Sequence, residues 1–276
     1  MALTVNTNMA AVDAINQLAV STRSLSGSFE RVASGKRINK AADDAAGLGV
    51  AENLDSSNRS GRVAMRNAND GISLVQIAEG ATGEVANILK RMRELAIQSA
   101  SETLDNNERQ YIQDEYIQLA AEVDRISSVT EFNGVSLVNG INTQVAVQVG
   151  INNSTNDRIT IKMGDLRATV LGIDTGTLSL ATATLAQNAL TTFDSALDTV
   201  NSNRSDYGAS QNRLSTSLRN MEIYLENITS AESRIRDADY AYETAEMAKN
   251  QILQQAGMSV LSQAKSINQG VLSLLQ

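Results

Sequence analysis

The acidic pairs Asp43-Asp44 and Asp237-x-Asp239 are the side chains whose type and spacing come closest to a cation site, since hard cations prefer carboxylate oxygens. Neither pair is followed by the ligand spacing of a Ca²⁺ loop, so both read more simply as solvated helix ends or salt-bridge partners. Gly47-Leu-Gly49 carries the first glycines of a dinucleotide fingerprint but lacks the preceding strand and the third glycine. The run Lys90-Arg-Met-Arg-Glu94 is basic and reads as a solvated helix face or a partner contact. Sequons such as Asn153-Ser-Thr155 and Asn227-Ile-Thr229 arise by chance in a chain rich in Asn, Ser and Thr. With no His and no Cys, nucleophile systems of the Ser-His-Asp or Cys-His type cannot be built, nor zinc sites from those ligands. Paired carboxylates for glycoside hydrolysis would need a concave pocket, which a narrow helical bundle does not offer. No enzyme and no cofactor, metal or catalytic residue is expected.

Composition narrows the class further. Among 276 residues there is no proline, where average usage of about 5% would give roughly 14. A net charge of −8 opposes non-specific attraction to nucleic acid, so no nucleic-acid partner is expected. Aromatics are only 3% of the chain, so Ala, Leu, Ile and Val must supply the packing. The first ten residues lack the basic and apolar regions of a cleavable signal peptide, so none is expected.

These residues ride on helices whose spacing is plain. Steps of 3 and 4 from Leu190 through Phe193, Leu197, Val200, Arg204, Tyr207, Gln211, Leu214, Leu218, Met221, Leu225, Ile228, Glu232 and Ile235 give a seam in which 11 of 14 positions are apolar or Tyr. A partner seam runs from Met65 to Ser99 through Val75, Val85, Leu89 and Met92. Glycines 71, 80 and 83 either weaken that helix or let another helix approach closely. A shorter helix starts at the capping box Asp105-x-x-Glu108, and Thr130-Glu-Phe-Asn-Gly134 reads as a turn after it. Between 132 and 180 the period falls to 2: Val145, Val147 and Val149, then Ile159, Ile161 and Met163, predict a hairpin.

The two ends are nearly uncharged, with Asp13 alone in 1–22 and Lys265 alone in 250–276, yet both keep a helical stripe. Their apolar residues are Leu3, Val5, Met9, Val12, Ile15 and Leu18 at the start and Leu253, Val260, Leu261, Ile267, Val271, Leu274 and Leu275 at the end. Pairing the two helices covers one face of each and leaves leucines such as Leu3, Leu253, Leu261 and Leu275 exposed, a pattern that predicts association. The fold expected is mainly α: an elongated antiparallel helical bundle or coiled coil with a small β-hairpin region and paired N- and C-terminal helices as an inner core. Residues 1–42 with 238–276 would form the terminal coiled-coil domain and 43–237 the outer bundle.

Ala33-Ser-Gly-Lys-Arg-Ile38, Ala41-Ala-Asp-Asp-Ala-Ala-Gly-Leu48, Asn69-Asp-Gly-Ile-Ser73 and Met92-Arg-Glu-Leu-Ala-Ile-Gln-Ser-Ala100 closely resemble stretches of bacterial flagellin, the subunit of the flagellar filament. So do Gly208-Ala-Ser-Gln-Asn-Arg-Leu214, Ser233-Arg-Ile-Arg-Asp-Ala-Asp-Tyr-Ala241 and Ile252-Leu-Gln-Gln-Ala-Gly257. The resemblance covers about 1–140 and 185–276 and implies a minimal flagellin without large outer domains. It implies an extracellular subunit that polymerises with copies of itself into the helical propeller of swimming cells. Implied partners are flagellar junction and cap proteins, an export chaperone on the C-terminal helix, and the flagellin-sensing Toll-like receptor through Arg91, Leu95 and Glu115. A hook–filament junction protein and a secreted coiled-coil adhesin are the alternatives.

Overall fold

The computed structural model describes the backbone of residues 8–273 and the side chains of 8–266. Its elements are α1 (Met9–Ser34), α2 (Ala45–Ser99), α3 (Asn106–Val129), β1 (Glu131–Phe132), β2 (Val135–Ser136), β3 (Gln144–Gln148), β4 (Arg158–Lys162), α4 (Ala183–Arg236) and α5 (Tyr240–Ser273). They fall into two compact units: Arg59–Glu226, and the residues up to Asn58 together with those from Asn227.

In the unit Arg59–Glu226 the predicted seams are the core. Ala68, Val75, Ala78, Thr82, Val85, Leu89, Met92, Ala96 and Ser99 of α2 are buried, as are Phe193, Val200, Tyr207, Leu214 and Leu225 of α4. Each large aliphatic side chain so buried stabilises by about 1.5–3 kcal/mol before conformational entropy is subtracted. Arg204 lies at the exposed edge of its seam, where its guanidinium donates to Glu79 at 3.0 Å. Asp105 caps α3, accepting from the Glu108 amide at 2.8 Å while Glu108 accepts from the Asp105 amide at 3.1 Å. Asn133 and Gly134, at φ 48° and 76°, make the tight turn between β1 and β2. β3 and β4 form the expected antiparallel hairpin, with Val147 opposite Ile159 and Val145 opposite Ile161.

Residues 163–182 have no regular period and are held by side chains of the bundle. Tyr207 Oη accepts from the Gly164 amide, Asp124 accepts from the Ala168 amide, Tyr116 Oη donates to the Ile173 carbonyl, and Gln113 and Ser99 bind the Leu180 backbone. The backbone groups of Gly164, Ala168, Ile173 and Leu180 are thereby paired without secondary structure.

In the other unit, α1 and α5 run antiparallel and approach each other more closely along their length than any other two described helices. α1 stops at Gly35, whose φ of 70° is the left-handed conformation glycine adopts without strain. Beside this break lies the break between α4 and α5. The two are joined by Arg37 N–H donating to Arg236 O at 2.7 Å and Ala238 N–H donating to Gly35 O at 3.0 Å. The domain boundaries expected at 42/43 and 237/238 lie at these breaks, whereas the compact units divide inside the helices, at 58/59 in α2 and 226/227 in α4.

Candidate assembly surface

A soluble helix pair ordinarily hides its large apolar residues and exposes its polar ones. α1 and α5 do so only in part. Their shared seam is built from Ala11, Ala14, Leu18, Ser21, Leu25, Ser28 and Val32 against Glu243, Asn250, Gln254, Gly257, Leu261 and Ala264, all buried or half-buried. Small side chains let the backbones come close; a Cβ at Gly257 would stand 3.4 Å from Leu18 Cδ1. Facing solvent are Met9 (61% exposed), Val12, Ile15, Val20 and Phe29 of α1, with Ile252 (65%), Leu253, Met258 and Val260 (58%) of α5.

The sequence-predicted residues divide accordingly. Met9, Val12, Ile15, Leu253 and Val260 are exposed. Leu18 and Leu261 are half-buried, and Leu18 rests on Gly257 of the opposite helix. Ile267 and Val271 lie on α5 with their side chains outside the described residues; Leu3, Val5, Leu274 and Leu275 lie outside them altogether. Val20 and Met258 were missed because a stripe drawn by steps of 3 and 4 follows one line of large residues, while the exposed ones flank the seam on both sides.

One member of each acidic pair caps a helix. Asp43 accepts from the Asn39 and Lys40 amides, and the Lys40 amide, then the Asn39 amide, lower its carboxyl pKa. Asp44 accepts from the Gly47 amide at the start of α2. Asp239 accepts from the Ala241 and Tyr242 amides at the start of α5, and Asp237 accepts from Ser233 Oγ.

In the basic run, Arg93 pairs with Asp194 at 2.7 Å and Arg91 with Glu115 at 2.8 Å. The Glu115 hydrogen bond, then that of Glu94, raises the Arg91 pKa. Arg91 and Glu115 are thus brought together at the surface. Leu95, expected beside them in a receptor-recognition surface, is only 1% exposed and belongs to the apolar core cluster. That expectation is corrected: position 95 lies on the buried stripe of α2, next to Ala96 and one turn from Met92 and Ser99.

Two family models match in order. The bacterial flagellin N-terminal helical region covers residues 5–143, and the C-terminal helical region covers 190–275. The chain is 39% identical over 274 residues to a flagellin of Halalkalibacterium halodurans, with 99% of each chain covered. It belongs to the bacterial flagellin family. The flagellar filament 33 kDa core protein of Treponema phagedenis is 38% identical over 286 residues, again with 99% of both chains covered. The crystal structure of Bacillus cereus flagellin aligns with a TM-score of 0.50 at 34% identity, covering 56% of this chain and 88% of that one. As a flagellin the chain is a structural subunit of the extracellular flagellar filament rather than an enzyme. No described helix is long and apolar enough to cross a membrane.

Proposed function

We propose that this flagellin polymerises through the outward apolar faces of α1 and α5, which become the inner core of the filament. The observation that carries this reading is the apolar surface the pair leaves uncovered: nine large apolar side chains face solvent while Ser28, Glu243 and Asn250 are buried. Full burial of one such side chain is worth about 1.5–3 kcal/mol. As these are already about half covered, together they supply a gross gain on the order of 10 kcal/mol per chain, of the same size as the ~4–15 kcal/mol cost of association. Assembly is therefore poised, and one charge on this surface is enough to tip it. The contact repeats head-to-tail without closing, which gives an open helix. Leu3, Val5, Ile267, Val271, Leu274 and Leu275 extend the same chemistry toward the chain ends, and Leu18 and Leu261 hold the pair itself.

The test is polymerisation seeded with sheared filaments and followed by sedimentation. Ile15→Asp or Val260→Asp should abolish pelleting while the far-ultraviolet circular dichroism of the bundle is kept. Normal polymers from both variants would contradict the reading.

The same apolar surface of α5 is suited to an export chaperone before assembly, and exposed α1/α5 faces at a filament end to junction and cap proteins. The exposed Arg91–Glu115 pair supports a polar contact with the flagellin-sensing Toll-like receptor. Arg91→Ala should lower receptor signalling by the free subunit, and unchanged signalling would remove that contact.

A further inference from the structure

The α1/α5 seam poses a problem of register. Sliding α1 by seven residues, about 10 Å at 1.5 Å per residue, puts Ser21 where Ser28 was, Leu18 where Leu25 was and Leu25 where Val32 was. It also puts Ala11 where Leu18 was, so packing separates the two registers chiefly at that one site, where a smaller side chain would face Gly257. Asn8 Nδ2 donates to the Ala264 backbone carbonyl, an acceptor every residue offers, so it does not mark a register. Gln254 to Thr22 is an exposed contact of 3.3 Å that water replaces readily.

One polar contact distinguishes the registers as well. Arg31 Nε lies 2.8 Å from Glu243 Oε1, with the Glu243 side chain 7% exposed. Among the described residues it is the one ion pair joining α1 to α5; Glu30 pairs with Lys40, and Glu246 with Lys249 on its own helix. After the slip, Ser24 takes the place of Arg31, and a buried carboxylate is left without a cation. Its other oxygen, Oε2, and the Arg31 Nε are both buried without a hydrogen-bond partner among the described residues, so the pair is held by charge and proximity alone and no alternative donor stands by. Breaking a buried pair by removing one member leaves an uncompensated charge and is far more costly than the pair's own net contribution. A polar group in an otherwise permissive seam fixes register at some expense of stability.

We propose that Arg31 and Glu243 are positioning residues that select the register of α1 on α5. The pair thereby decides which apolar side chains stand side by side on the outward surface. The inference rests on the assembly reading above only for that consequence.

Because the chain has no Cys, introduced thiol pairs report register without background. In the full-length chain, Leu18→Cys with Gly257→Cys samples the native register, and Ala11→Cys with Gly257→Cys samples the slipped one. Mild oxidation should crosslink the first pair and not the second. Adding Arg31→Ala should lower the ratio of native to slipped crosslink by about tenfold or more, and R31E with E243R together should restore it. An unchanged ratio with Arg31→Ala, loss of both crosslinks together, or no restoration by the exchanged charges would overturn the proposal. Pelleting of seeded polymer is read separately. Native crosslinking that responds to Arg31→Ala in chains that never pellet would contradict the assembly reading and leave the register inference standing.

Discussion

Gly71 of α2 lies beneath Val147 of β3: a Cβ at position 71 would stand 3.1 Å from Val147 Cγ2 and 3.2 Å from Cγ1. The hairpin can sit this low on the helix because the residue below it has no side chain. Gly80, on the same helix, has open space where its Cβ would be. The two glycines should therefore respond oppositely. Gly80→Ala should stabilise by up to about 1 kcal/mol through helix propensity, whereas Gly71→Val should destabilise by about 1–3 kcal/mol through overpacking. Thermal melts followed by circular dichroism check both signs.

The capping box of α3 offers a local test. Asp105→Ala removes the acceptor for the Glu108 amide and should cost about 1 kcal/mol. Asp105→Asn, which keeps a side-chain oxygen, should recover most of that loss in the same urea titration.

Burial, chiefly, raises the pKa of the Tyr116 and Tyr207 phenols above the ordinary 10.0. In the unfolded chain both ionise near that ordinary value, while the folded chain keeps them neutral. Their stabilising effect is thus complete below about pH 10 and is lost as pH rises through the folded pKa values, at up to ~1.4 kcal/mol per pH unit for each group. Stability measured between pH 9 and 11.5 should fall more steeply in the native chain than in Tyr116→Phe or Tyr207→Phe.

Much of this fold is legible in the sequence where one physical signal acts alone. The period-3.5 seams of α2 and α4, the alternation of Val147 and Ile159, and the Asp105 cap each follow from local spacing. The strap over 163–182 was not legible, because it is held by Tyr116, Asp124 and Gln113 reaching from distant elements. At the candidate site the apolar residues of the ends were found but their arrangement was not. Hydrophobicity alone places Met9, Val12 and Ile15 against the partner helix; in the structure Ala14, Ser21 and Ser28 take that place. The difference has a cause. Periodicity reports which residues seek burial, and when burial comes from neighbouring subunits the stripe does not mark the contact within one chain.

The most direct test of the assembly surface uses two methionines already in it. Met9 and Met258 are 61% and 52% exposed, while Met92 in the core is fully buried. Peroxide oxidation followed by peptide mass spectrometry, run on free chains and on sheared-seed polymers, reads their protection site by site. The account predicts rapid sulfoxide formation at both in the free chain, at least about tenfold slower oxidation in the polymer, and slow oxidation of Met92 in each. Equal rates at Met9 and Met258 in free and polymerised chains would contradict it.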